Sequence, residues 1–120
     1  MGKNLGISTL LDFYGEMLTD KQRSFVDYYY NSDLSLAEIA ENEGITRQGV
    51  RDSIKRAEGQ LFDMEDRLGL AGRFKSMKKG IDKIKQAAVE ISEVNKRYGY
   101  SREINTSAKC IYELADGLAE

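Results

Sequence analysis

Arg47, Gln48, Arg51 and Lys55 are the side chains of this 120-residue chain best spaced to act on another molecule. Arg47, Arg51 and Lys55 recur every four residues, so a helix sets them on one side with Gln48 close by. At the start of a helix lying in a major groove, a guanidinium fork pairs with guanine and a glutamine amide with adenine. Arg56, together with Lys21 and Arg23 near the start of an earlier helix, adds cations suited to phosphates. This is recognition chemistry, aimed at a DNA or RNA duplex, and it breaks no bonds.

The rest of the composition points away from catalysis. Histidine is absent, which removes the commonest general base and the commonest metal ligand and makes a Ser-His pair impossible. No glycine-rich loop of Walker type is present. Asp63, Glu65 and Asp66 form a small acidic cluster on the polar side of an amphipathic stretch and are expected to be a solvated helix face. Cys110 is the lone cysteine and reads as a packing residue in a reducing compartment. Apolar residues make up 41% of the chain, but none of their runs exceeds three residues, too short for a signal core or a membrane helix. The expectation is a cytoplasmic, non-enzymatic protein with no cofactor, no metal and no membrane insertion.

The elements that position the cations follow from local signals. Residues 1–7 read as frayed. From Ser8, apolar residues at Leu10, Leu11, Phe13, Tyr14, Met17 and Leu18 fall at helical spacing. Thr19-x-x-Gln22 and Ser35-x-x-Glu38 are capping boxes that start two further helices. Asn31-Ser32-Asp33 ends the first of these, and Gly44 ends the second. Thr46 caps the next helix, whose apolar stripe runs Val50, Ile54, Ala57, Leu61, Met64 and Leu68. Gly69-Leu70-Ala71-Gly72 interrupts the pattern. A second stripe follows at Phe74, Met77, Ile81, Ile84, Ala88, Ile91, Asn95 and Tyr98, in alternating steps of three and four. Gly99 ends it, and Ser101 caps a last helix. No segment alternates with period two. The fold class is therefore all-α, with a helix-turn-helix module over residues 8–68 and a helical extension over residues 73–119. The consecutive rings Tyr28, Tyr29 and Tyr30 point about 100° apart on a helix, so partial burial is expected and not a stacking platform.

Residues 35–57, SLAEIAENEGITRQGVRDSIKRA, meet the packing needs of a helix-turn-helix. Small Ala40 suits the close crossing, Gly44 the turn, Ile45 the gap between helices, and Val50 and Ile54 the anchoring of the second helix. That leaves Arg47, Gln48, Arg51, Asp52 and Lys55 facing outward. Such tri-helical cores also serve as protein-docking modules. The local charge over 47–56 is +3, whereas residues 1–70 sum to −5 and residues 71–120 to +3.

Thr19 to Ala57 resembles the promoter-reading C-terminal domain of bacterial sigma factors. The chain is more closely similar to the YlxM family of small helix-turn-helix proteins, through LLDFYGEMLTDKQ (Leu10 to Gln22), SLAEIAE, TRQGVRDSIKR and the acidic helix that follows. The resemblance covers roughly residues 8–75. It implies a sigma-factor-like all-α module that binds DNA and regulates. It also implies a part in protein targeting by the signal recognition particle, since members of the family are typically encoded beside components of that particle. Two departures stand out. Gly49 lies in the reading helix where alanine is more usual, and the tail from about Gly80 is longer than the family leads one to expect.

The extension carries the last expectation. Phe74, Met77, Ile81, Ile84, Ala88, Ile91 and Tyr98 form a seam for a homodimer or another partner, with Asn95 as a polar register residue. Folding back onto the 50–68 stripe is the alternative. The basic residues Arg73, Lys75, Lys78, Lys79, Lys83 and Lys85 would flank a dimer seam. Against the nucleic-acid reading stands a protein-interaction adaptor that docks on a targeting GTPase or ribonucleoprotein.

Overall fold

Each expected cap is in place in the computed structural model, which describes residues 6–119. The Gln22 N–H donates to Thr19 Oγ1 and the Thr19 N–H to Gln22 Oε1, both at 3.1 Å. The Glu38 N–H donates to Ser35 Oγ at 3.1 Å and the Ser35 N–H to Glu38 Oε1 at 3.2 Å. The Gly49 N–H donates to Thr46 Oγ1 at 3.0 Å. These bonds supply acceptors and donors that the first turn of a helix otherwise lacks. They open α2 (Asp20–Tyr30), α3 (Leu36–Glu43) and α4 (Arg47–Leu68), which follow α1 (Gly6–Tyr14). Gly44 turns α3 into α4 with φ of +68°, in the left-handed region that other residues enter at a cost. α5 (Leu70–Arg97) and α6 (Arg102–Leu118) complete the chain, and no strand occurs among the described residues. The fold is all-α.

The chain divides into two compact units, Met1–Ala71 and Gly72–Glu120. In the first, α4 is the axis. Its first half sends Val50 and Ile54 into a cluster with Phe25, Tyr29, Ile39 and Ala40, the core of the helix-turn-helix. Its second half sends Ala57 and Leu61 into a cluster with Ile7, Leu10, Leu11, Tyr14, Leu18 and Val26. Within the first unit, the Val50–Leu61 part of the stripe is therefore covered by α1, α2 and α3, whereas Leu68 at its end stays 56% exposed. Tyr29 is buried and its neighbours Tyr28 and Tyr30 are half-buried, as the 100° step requires.

The N-terminal segment departs from its periodicity. The α-helix spans Gly6–Tyr14, and a 3-10 turn, Gly15–Met17, carries the chain on to Leu18. The tighter turn brings the Leu18 N–H to the Gly15 carbonyl at 3.1 Å and drops Leu18 into the core. It also swings Met17 out to 73% exposure. Ile7 is wholly buried, so residues 6 and 7 belong to the fold; the rest of the segment read as frayed, residues 1–5, lies outside the described residues.

The second unit is an antiparallel helical hairpin. Asn95 closes it: its Nδ2 donates to the Ser101 carbonyl at 2.8 Å and its Oδ1 accepts the Ser101 N–H at 2.9 Å. Further along, Lys85 Nζ meets Asp116 Oδ1 at 2.8 Å and lies over the Tyr112 ring. The hydrogen bond to Asp116 holds the Lys85 ammonium above its ordinary pKa.

Candidate nucleic-acid interface

The recognition helix is built by opposition. Val50, Ile54, Ala57 and Leu61 bury one side of α4 completely. With about 100° per residue, the far side then runs from Arg47 through Arg51, Lys55, Gln48 and Asp52 to Arg56 over about half a turn of the circumference. Arg47, Gln48, Lys55 and Arg56 are exposed and Arg51 is half-buried, as expected of an aliphatic stem that packs while its head stays wet. Among the described residues, Arg47, Arg51, Lys55 and Arg56 make no ion pair. α2 and α3 each carry an acid in the first turn, Asp20 and Glu38, whereas α4 carries none. The positive end of its dipole is therefore left uncompensated beside two arginines, a setting that favours an anion.

Two features moderate this face. Gln48 Nε2 donates to Asp52 Oδ1 at 2.9 Å, so the amide is held in one orientation by a carboxylate in the middle of the basic arc. Arg56 lies about 180° around the helix from Arg47, so one groove edge does not reach both. Gly49 has a local explanation. A Cβ there would stand 3.2 Å from Thr46 Oγ1, and its absence lets the capping hydroxyl close on the Gly49 N–H.

The remaining cations are placed differently from one another. Lys21 Nζ lies 5.7 Å from the centre of the Phe25 ring, at the edge of the helix-turn-helix core. Arg23 lines a polar cleft with Leu11, Asp12, Asp27 and Asn31, where two carboxylates neighbour it. Arg47 lines a shallow notch with Tyr29, Ser35, Leu36 and Glu38 at the start of α3.

The acidic cluster is not uniformly a solvated face. Asp63 pairs with Arg67 at 3.0 Å in water, but Glu65 is half-buried. Its Oε1 accepts the Tyr14 hydroxyl at 2.5 Å and the Ala71 N–H at 3.1 Å. Burial, and then this carboxylate, push the Tyr14 phenol above its ordinary pKa. Among the described residues no group of three or more acidic or cysteine side chains could hold a metal ion. Cys110 is exposed, not packed as its apolar neighbours suggested, because it falls on the flank of α6 away from Ala108 and Ala115.

The expected seam is split by its own geometry. Ile81 and Ala88 turn inward, as does Asn95, while Phe74, Met77, Ile84, Ile91 and Tyr98 stay 40–79% exposed. Asn95 spends its amide on the hairpin turn.

A short tri-helical core with a left-handed glycine turn and a cation-bearing second helix defines a helix-turn-helix protein. The family described as "Putative helix-turn-helix protein, YlxM / p13 like" (UPF0122) matches residues 1–99. The chain belongs to that family, which is one of helix-turn-helix proteins and not an enzyme family. It is 43% identical over 110 residues to a UPF0122 protein of Thermoanaerobacter sp. strain X514, covering 92% of this chain and 94% of that one. It is 51% identical over 84 residues to a UPF0122 protein of Clostridium kluyveri, covering 68% and 76%. The match to a UPF0122 protein of Desulforamulus reducens, 47% identical over 75 residues, takes in 62% of this chain and 64% of that protein. The Thermoanaerobacter match corrects one expectation. A stretch of 110 residues in a chain of 120 must include all of α5 and much of α6, so the long tail is shared with that relative. No helix among the described residues is long and apolar enough to cross a membrane.

Proposed function

We propose that this protein is a non-catalytic, DNA-binding regulator that reads a duplex with the N-terminal half of α4 and acts in the cytoplasm as a homodimer. Arg47, Gln48, Arg51 and Lys55 approach the groove, and Lys21, Arg23 and Arg56 serve phosphates. The observation that carries this reading is the set Arg47, Arg51 and Lys55, the first and last exposed and Arg51 half-buried, unpaired within the described chain, at a helix start with no acidic residue. Its place in the signal recognition particle pathway, with components of that particle as partners, rests on the YlxM resemblance.

The test is a duplex titration at two salt concentrations with Arg51→Ala and Arg47→Ala. Each is expected to weaken binding, and loss of a phosphate contact lowers the salt slope by about one. Affinity and slope unchanged in both variants would refute the role of this face.

A second reading is a protein adaptor that docks on a targeting GTPase or ribonucleoprotein. The observation favouring it is the −5 charge of residues 1–70, with Asp52 inside the basic arc. A pull-down with and without nuclease separates the two: partners that survive nuclease favour the adaptor, and partners lost with it favour nucleic acid.

A further inference from the structure

The α5–α6 hairpin is apolar on one side and polar on the other, and only its centre is buried. Ile81, Ala88, Ala108 and Ala115 form that centre. Two alanines facing an alanine and an isoleucine bury little, and helices of this kind owe their stability mostly to packing. On one side, Lys85, Asp116 and Tyr112 make a polar bridge. On the other, Ile84, Ile91, Ile104, Ile111 and Leu118 remain 41–69% exposed. They form a continuous groove: Ile91 and Ile104 line it together with Ala87 and Val94 in one stretch and with Ala108 and Ile111 in the next. An apolar strip of this kind, repeated every seven residues on both helices, is half of a four-helix bundle.

The charges along its rim identify the other half. Lys83 and Glu90 flank the strip on α5, one on each side of small Ala87 and about 10 Å apart along the axis. A second α5 crossing antiparallel near Ala87 sets Lys83 of each copy against Glu90 of the other, and Ile84 against Ile91. A parallel two-fold copy would instead face this flank with the opposite flank of α5, where Ile81 and Ala88 stand, and would pair neither charge. We propose that a second copy of this chain covers the Ile84–Ile91–Ile104–Ile111 face, forming an antiparallel, two-fold symmetric four-helix bundle. This deepens the dimeric part of the proposed function and is independent of nucleic-acid contact.

The experiment is sedimentation equilibrium of the full chain without nucleic acid, so its failure leaves the reading of α4 standing. The wild type is expected to sediment as a dimer. Ile91→Glu, at a position exposed in the single chain, is expected to weaken the dimer roughly thirtyfold or more, as a hot-spot loss does. Lys83→Glu avoids the apolar face and is expected to weaken it by a smaller factor. Lys83→Glu combined with Glu90→Lys restores wild-type association, because the swapped charges still meet across an antiparallel crossing. A monomer at every concentration, a dimer indifferent to Ile91→Glu, or a double variant no better than Lys83→Glu alone would overturn the proposal.

Discussion

Tyr14 and Glu65, 51 residues apart in the chain, are joined by a hydrogen bond of 2.5 Å. The same Tyr14 hydroxyl accepts the Leu70 N–H at 3.0 Å, and the same Glu65 oxygen accepts the Ala71 N–H. A single residue, Gly69, separates α4 from α5, leaving no room for an ordinary capping serine or threonine. Side chains from α1 and α4 supply the acceptors instead, and one of them carries a negative charge to the positive end of a helix.

Removing that bridge is expected to lower the melting temperature and to change its pH dependence. Tyr14→Phe strips the acceptor from Leu70 and the donor from Glu65. In the wild type the folded state holds the phenol above its ordinary value of 10.0. A raised pKa means that the stabilisation is complete below that value and is lost as pH climbs through the raised one. Thermal unfolding of the wild type should therefore fall more steeply above pH 10 than that of Tyr14→Phe. Parallel pH profiles would show that the phenol contributes nothing.

At the turn, Gly44→Ala is expected to cost about 1–2 kcal/mol, the penalty for a side chain in the left-handed region. A Cβ there meets nothing within 4 Å, so the loss comes from the backbone alone. Gly44→Asn should cost less, because asparagine tolerates that conformation. Urea denaturation measures both, and equal losses would point to a packing cause.

Ile54→Ala should destabilise the first unit by about 2–5 kcal/mol, since Ile54 is wholly buried. Met17→Ala, at a position 73% exposed, should stay within about 0.5 kcal/mol of wild type. A large Met17 effect in the same denaturation series would contradict the 3-10 turn.

Asp52→Ala is expected to raise affinity for duplexes of random sequence and to narrow the difference between good and poor sites. It removes the carboxylate from the basic arc and frees Gln48 from its fixed orientation. Competition titrations against mixed duplexes report both changes. Lower affinity for random duplexes would speak for the adaptor.

The order of the helices, the starts of α2, α3, α4 and α6 and the turn were legible in the residues alone. The start of α5 was not, since Gly69-Leu70-Ala71-Gly72 reads as a break and only Gly69 is one, α5 beginning at Leu70. Thr19 with Gln22, Ser35 with Glu38 and Thr46 satisfy backbone groups within three residues, and the freedom of Gly44 is a property of one residue, so neither needs a distant partner. The buried face of α4 was legible too, because its stripe is opposed by charges on every other side. What the tertiary structure decided are choices among residues of equal local merit. Ile81 goes inward and Ile84 stays in water, Leu18 enters the core and Met17 leaves it, although spacing treats each pair alike. Glu65 and Asn95 look like a surface acid and a seam residue, yet one seals the start of α5 and the other the end of the hairpin. Hydrophobic burial and backbone capping are settled by what arrives from elsewhere in the chain, and Tyr14 arrives from 51 residues away.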